Sequence, residues 1–211
     1  MEPNLTNIKN IVFDLGNVLL NLDFDASIQA FQKLGLNSEV VNRQQAYADP
    51  VFYELEVGKT TPQEFRKRVR RILNNPEATD QQIDDAWCAM IHDIPAKRVQ
   101  MLKELAKNYN VYLFSNTNAI HINRLHGEFR EIYGIEFPSL FVKDFYSHEL
   151  HERKPDLASY TKVIELSGII PGETLFVDDL EKNISGAEKA GLKTFWLKDG
   201  MEVSEVFTSK F

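Results

Sequence analysis

Cysteine is almost missing from this chain. Cys88 is the only one in 211 residues, so no internal disulfide can form and packing alone must hold the fold. Beside Trp87 in a helical pattern, it reads as a small buried hydrophobe, and the lack of disulfides suits a reducing compartment. A basic excess is missing as well: 24 Lys and Arg stand against 31 Asp and Glu, a formal net charge of -7. That balance argues against nucleic acid or an anionic membrane as the main partner, so any phosphate must be recognised locally. No apolar run approaches the roughly 20 residues of a membrane span. The opening residues, Met1 to Asn7, lack the charged-then-apolar layout of a secretory signal. There is no internal repeat, low-complexity tract or flexible linker. The expectation is a cytoplasmic protein, monomeric or weakly homo-oligomeric, with no membrane or nucleic-acid partner.

What the chain does contain is 43% hydrophobic residues, ordinary for a globular protein and enough for a sizeable core. Three short apolar runs end in chemistry. Asn10 to Phe13 leads into Asp14, Val111 to Phe114 into Ser115-Asn116-Thr117-Asn118, and Thr174 to Val177 into Asp178-Asp179. Runs of this length rich in Val, Ile and Phe read as buried strands. Each delivers its polar residues to the C-terminal edge, where open parallel sheets place their ligands. Taken singly, Asp14 could cap a turn and Asp178-Asp179 a helix, and strand-end Ser-Asn is a common turn composition.

Between Asp25 and about Pro95 the pattern is helical with no convincing strand. Phe65, Val69, Ile72 and Leu73 recur at helical spacing, Thr61-Pro62 offers a start and Asn74-Asn75-Pro76 a stop. From Pro95 onward the spacing predicts alternation: a helix over Ala96 to Asn108, the Val111 strand, a helix from Asn118 and a short strand from Leu140 to Tyr146. A helix opened by Pro155 at its first turn and closed near Gly168 follows, then the Thr174 strand, a helix over Leu180 to Ala190, and a strand over Thr194 to Leu197. Such alternation argues a doubly wound α/β parallel sheet, residues 1–20 and 93–211, with a small all-helical module inserted at 21–92. The tail from Gly200 to Phe211 carries no clear assignment.

Three patterns resemble functional motifs without meeting their requirements. Gly58-Lys59-Thr60 looks like the end of a phosphate-binding loop, but position 53 is Tyr where that loop needs glycine. His148-Glu149-Leu150-His151 lacks the spacing of a zinc-binding helix. The run Arg66-Lys67-Arg68-Val69-Arg70-Arg71 reads as the solvated face of a helix whose Val69 is buried, with some power to draw in an anionic substrate.

In order and spacing, Asp14, Ser115, Lys154 before Pro155, and Asp178-Asp179 resemble the four motifs of the haloacid dehalogenase superfamily, most of whose members are magnesium-dependent phosphatases. The resemblance covers nearly the whole chain. The stretch from Phe176 through Asn183, Gly186-Ala187 and Ala190-Gly191-Leu192 is similar to the subgroup with a helical cap inserted after the first motif, among them phosphatases of sugar phosphates such as glucose 1-phosphate. The resemblance implies Asp14 as nucleophile and Mg2+ ligand, Asp179 and the backbone carbonyl of Gly16 as further ligands, and Asp178 as an outer or water-mediated one. It implies that Ser115 and the Asn116 N–H hold phosphate oxygens and that Lys154 supplies a positive charge beside the nucleophile. His121, three residues after Asn118, is a further candidate for proton transfer or phosphate contact.

One position departs from the pattern. Gly16 stands where most phosphatases of the superfamily carry a second aspartate, the acid and base of the reaction. The substrate implied is a small phosphorylated metabolite with a leaving group that needs little protonation, such as an anomeric, aryl or acyl phosphate. A hydrolytic dehalogenase also lacks that acid, and a phosphate- or metal-binding pseudoenzyme would lose nothing by its absence. Cap residues near the cleft, Asn21, Asp23, Phe24 and Asp25 with Phe52, Tyr53 and Glu54, are the expected source of selectivity.

Overall fold

In the computed structural model, which describes residues 2–40, 42–198 and 200–208, the three apolar runs lie side by side in one sheet. Strand β1 (Asn10–Phe13) is flanked by β2 (Asn110–Ser115) and β4 (Thr174–Asp178), and β3 (Lys143–Tyr146) and β5 (Lys193–Trp196) complete the order β3-β2-β1-β4-β5, all parallel. Every residue of β1 and β4 is buried, as expected of strands covered on both faces. The register pairs Phe13 with Leu113 on one side and with Val177 on the other, so the residues following these three strands emerge together. Strand order reverses between β1 and β4, and that reversal opens a crevice at the C-terminal edge.

The segment after β1 forms, among the described residues, the helices α1 (Phe24–Lys33), α2 (Arg43–Ala46), α3 (Pro50–Glu56), α4 (Pro62–Ile72) and α5 (Asp80–Cys88). Their starts are chemically marked. Asp23 caps α1, Thr61 caps α4 with Pro62 in its first turn, and Thr79 with Gln82 forms a capping box on α5. Phe31, Phe52, Phe65 and Trp87 pack with Val69 and Leu55 into an aromatic-rich cluster, distinct from the two clusters on the faces of the sheet. The chain enters and leaves this helical segment side by side. Asn21 N–H donates to Asp93 O at 2.9 Å, His92 N–H to Asn21 O at 3.0 Å, and Asp23 N–H to Met90 O at 2.9 Å.

The remaining helices are α6 (Ala96–Leu105), α7 (Ala119–Tyr133), α8 (Ser147–Leu150), α9 (Leu157–Ser167), α10 (Glu181–Lys189) and α11 (Val203–Thr208). Four details differ from the sequence-based expectation. Helix α6 stops at Leu105. Strand β3 begins at Lys143, after a 3-10 turn over Phe137–Leu140 that takes the place of its predicted start. Pro155 lies outside α9, which starts after Asp156; the Lys154–Pro155 bond is cis. The tail forms α11, whose Val203 and Phe207 are fully buried, with the Phe207 ring 5.5 Å from that of Phe13; positions 209–211 lie outside the described residues. The basic run on α4 is ion-paired: Arg66 with Asp84 at 2.7 Å, Arg68 with Asp49 and Glu54 at 2.6 Å, and Arg70 with Asp80. Among the described residues no helix is long and apolar enough to cross a membrane.

Candidate active site

At the C-terminal edge of the sheet, Asp14 continues β1 and its N–H donates to Val177 O at 2.9 Å, which fixes the carboxylate over the β1–β4 crevice. Lys154 reaches the same point from the loop before α9. Its Nζ donates to Asp14 Oδ1 at 2.7 Å, to Asp178 Oδ2 at 2.8 Å and to Phe114 O at 2.9 Å, so all three ammonium donors are used. Burial alone pushes the Lys154 pKa down, but Asp14 and Asp178 hold it above its usual value, and the side chain stays charged.

The loop that carries Lys154 is held by reciprocal bonds with the Asn116 side chain: Lys154 N–H donates to Asn116 Oδ1 at 3.0 Å and Asn116 Nδ2 to Lys154 O at 2.9 Å. Helix α10 packs against its far side. A Cβ at Gly186 would come within 2.6 Å of Pro155 O and 2.8 Å of the Tyr160 ring, so only glycine lets the helix approach so closely.

Asp178 has little free lone-pair capacity. Besides Lys154, Asn183 Nδ2 lies 3.0 Å from each of its oxygens and Leu180 N–H donates to Oδ1 at 2.9 Å. Asp179 is more open, meeting Asn17 Nδ2 at 3.3 Å. Its pKa is raised by burial first and by the neighbouring Asp178 second. Burial also pushes Asp14 up, to about 7, with Asp178 and Asp179 adding to the rise and Lys154 opposing it.

Three carboxylates thus share one ammonium. One oxygen from each of Asp14, Asp178 and Asp179 lies within 4.8 Å of the others. An all-oxygen donor set with uncompensated negative charge is the chemistry that suits Mg2+, which would relieve the repulsion that raises Asp14 and Asp179.

The crevice opens into a cavity of about 750 Å3 between the sheet edge and the helical segment. Ser115, Asn116 and Gly16 line its floor; Ser115 Oγ takes no hydrogen bond among the described residues. Gly16 faces an apolar neighbour: a Cβ added there would lie 2.7 Å from Leu22 Cδ1. That methyl is the far end of a flexible side chain, so a side chain at position 16 would displace it and meet no backbone atom.

His121 also lines the cavity, but its hydrogen bond runs to the Trp87 carbonyl, at 3.1 Å from Nε2, and not to Asp14, Lys154 or Asp179. Of the cap candidates, Phe24, Phe52 and Tyr53 line the cavity, while Glu54 is bound to Arg68 on the far side of α3.

Three features went unassigned in the sequence. Asn183 locks Asp178, and Asn17 steadies Asp179. Glu56 and Arg153, paired at 2.6 Å on the cavity wall, join α3 to the Lys154 loop. Asn183 carried a usable signal, since it follows Asp178 by five residues and falls in the first turn of α10; the Glu56–Arg153 pair carried none.

A family model described as haloacid dehalogenase-like hydrolase matches residues 8–191. A curated relative, D-ribitol-5-phosphate phosphatase of Bacteroides thetaiotaomicron, is 33% identical over 95% of this chain and 97% of its own. Among solved structures, a HAD family enzyme of the same organism in complex with magnesium and inorganic phosphate superposes with a TM-score of 0.87 at 36% identity, covering 95% of this chain and 99% of that one. A HAD-like hydrolase from Porphyromonas gingivalis gives 0.85 at 32% identity, covering 96% and 97%.

Proposed function

From the membership of this chain in the haloacid dehalogenase-like hydrolase family, we propose that it is a magnesium-dependent phosphatase acting on a polyhydroxylated phosphomonoester, with D-ribitol 5-phosphate the first compound to test. The observation that carries the reading is the buried Lys154 ammonium bonded to Asp14 and Asp178, with Asp179 alongside, next in sequence to residues that line the cavity, Leu15 and Arg153. Because Lys154 engages Asp14 Oδ1, Oδ2 is the oxygen that attacks phosphorus. The Oδ2–P bond forms as the ester P–O bond breaks, and Ser115 Oγ and the Asn116 N–H hold the non-bridging oxygens. Water then cleaves the aspartyl phosphate and returns Asp14. Asp14, Asp179, the Gly16 carbonyl and, through the outer shell, Asp178 would hold Mg2+, which neutralises phosphoryl charge when bound.

Residues 21–92 act in this reading as a cap over residues 1–20 and 93–211, hinged where Asn21 and Asp23 pair with His92 and Met90. Position 16 provides no acid, so the leaving oxygen takes its proton from solvent. That favours good leaving groups, whereas D-ribitol 5-phosphate, named for the curated relative, is a primary ester with a poor one. Glucose 1-phosphate belongs in the same assay for this reason. The single buried thiol and the acidic balance fit a cytoplasmic enzyme of small metabolites, monomeric or weakly associated.

The test is phosphate release from D-ribitol 5-phosphate, glucose 1-phosphate and glucose 6-phosphate, with and without Mg2+, together with acid-quench trapping of phosphate on Asp14. Turnover that needs Mg2+ and a labelled Asp14 is expected. Chloroacetate turnover without added metal and no phosphate release would establish the dehalogenase instead.

A further inference from the structure

His121 stands in the first turn of α7, whose start is capped by Asn118 Oδ1 accepting from the Ile120 and His121 N–H groups at 3.1 Å. Its ring stacks on the Trp87 indole with centroids 4.6 Å apart and planes inclined by 29°. Its Nε2 lies 3.1 Å from the Trp87 carbonyl oxygen. A carbonyl has no proton to give, so Nε2 must carry the hydrogen, and in the neutral ring Nδ1 is then an acceptor. Burial pushes the His121 pKa down to about 4, so the ring is neutral near pH 7.

No described residue donates to Nδ1, and it is absent from the sealed, unpartnered polar atoms, so it keeps access to the cavity that His121 lines. The cavity is lined by apolar side chains, among them Leu22, Met90 and Ile91, and by polar ones, among them Arg43, Glu56 and Arg153. Stacking, helix capping and the Trp87 bond thus fix the orientation of one acceptor in the cavity wall.

We propose that His121 is a specificity-determining residue whose Nδ1 accepts a hydrogen bond from a substrate hydroxyl remote from the phosphoester. The inference rests on the phosphatase reading and adds to it the chemistry of selection: a hydroxyl donor at that position is favoured, and a hydrogen, a methylene or an acceptor-only group leaves Nδ1 dehydrated and unpaired. His121 touches no reacting atom in this role, and it has no proton to deliver, because its one N–H is held by Trp87.

The experiment compares D-ribitol 5-phosphate with phenyl phosphate, which has no hydroxyl to offer, in wild type, His121→Phe and His121→Asn. Phe keeps a flat ring against Trp87 without an acceptor; Asn keeps an acceptor at the δ position. His121→Phe is expected to lower kcat/KM for D-ribitol 5-phosphate about tenfold, mainly through KM, and to leave phenyl phosphate within about twofold. His121→Asn should recover part of the loss.

Independently of how the variants fold, wild type is assayed with alditol phosphates lacking one hydroxyl each. One of them should lose about tenfold against D-ribitol 5-phosphate, and that penalty should vanish in His121→Phe. Equal losses on both substrates, a loss confined to kcat, or a deoxy series without a penalty overturns the proposal. A wild type that releases phosphate from neither compound with Mg2+ present overturns the phosphatase reading itself and this inference with it.

Discussion

Replacing Asp14, the proposed nucleophile, should make the metal-free protein more stable while abolishing turnover. Asp14 is 7% exposed and its carboxyl is raised from 3.8 to about 7. A rise of about three units corresponds to roughly 4 kcal/mol of cost for keeping the carboxylate ionised in the folded state, at about 1.4 kcal/mol per unit. The favourable term is fully present below pH 3.8, where both states are protonated, and is lost as pH rises through about 7.

Asn in place of Asp14 removes that cost, and its Oδ1 can still accept from Lys154, but the ammonium then has one carboxylate partner instead of two. Setting the weakened Lys154 bond against the relief leaves a net gain of roughly 1–3 kcal/mol. For a chain of this size that is an upward shift of about 3–10 °C in Tm. The assay is thermal unfolding of wild type and Asp14→Asn at pH 7.5 in chelator, repeated at pH 4.5 and then with added Mg2+. The variant should lead in chelator at pH 7.5, and the lead should shrink at pH 4.5. Mg2+ should raise wild type more than the variant, because the variant has lost a ligand charge. An Asp14→Asn protein that melts below wild type in chelator at pH 7.5 would refute the reasoning, and near-wild-type turnover would refute the role of Asp14.

The other outcomes follow from the same geometry. Lys154→Met leaves Asp14 and Asp178 facing each other without their shared cation and should cost about 3–5 kcal/mol in urea unfolding at pH 7.5, along with activity; unchanged stability would deny the ion pair its structural role. Gly16→Asp should raise kcat on glucose 6-phosphate by about tenfold or more, since the atom its Cβ meets, Leu22 Cδ1 at 2.7 Å, ends a flexible side chain that can move aside. A rate no higher than wild type would show that an acid at position 16 does not reach the leaving oxygen. Phe207→Ala should cost about 3–5 kcal/mol, because the ring is fully buried against Phe13; a loss under 1 kcal/mol would make the tail dispensable.

The sheet could be read from the sequence because each central strand is a short apolar run that stops at a polar residue, and parallel pairing then fixes where those residues meet. The helical segment was legible from the spacing of Phe65, Val69, Ile72 and Leu73 and from the Thr61 start, while the caps at Asp23 and Thr79 went unread. Pro155 misled for a definite reason. Proline is suited to a first helical turn, but here its carbonyl packs closely on Gly186 of α10, a contact that no local rule anticipates. The tail had a signal, Val203, Val206 and Phe207 at helical spacing, but six residues are too few to decide a helix without the core it covers.

His121 and Gly16 mark the boundary between what spacing reveals and what only packing reveals. Spacing put His121 near the cleft, yet its role turns on which nitrogen holds the proton, and a backbone carbonyl in the preceding helical segment decides that. Spacing also exposed Gly16 as a missing acid, and a missing acid reads as an empty place. The structure gives it a neighbour: Leu22, at the hinge where the chain bridges to Ile91, puts Cδ1 2.7 Å from where a Cβ on residue 16 would lie. That methyl ends a flexible side chain, so a rotamer change of Leu22 makes room for an acid at position 16. The absence of the acid is therefore not imposed by the backbone around it, and a single substitution at position 16 is enough to test what the acid would add.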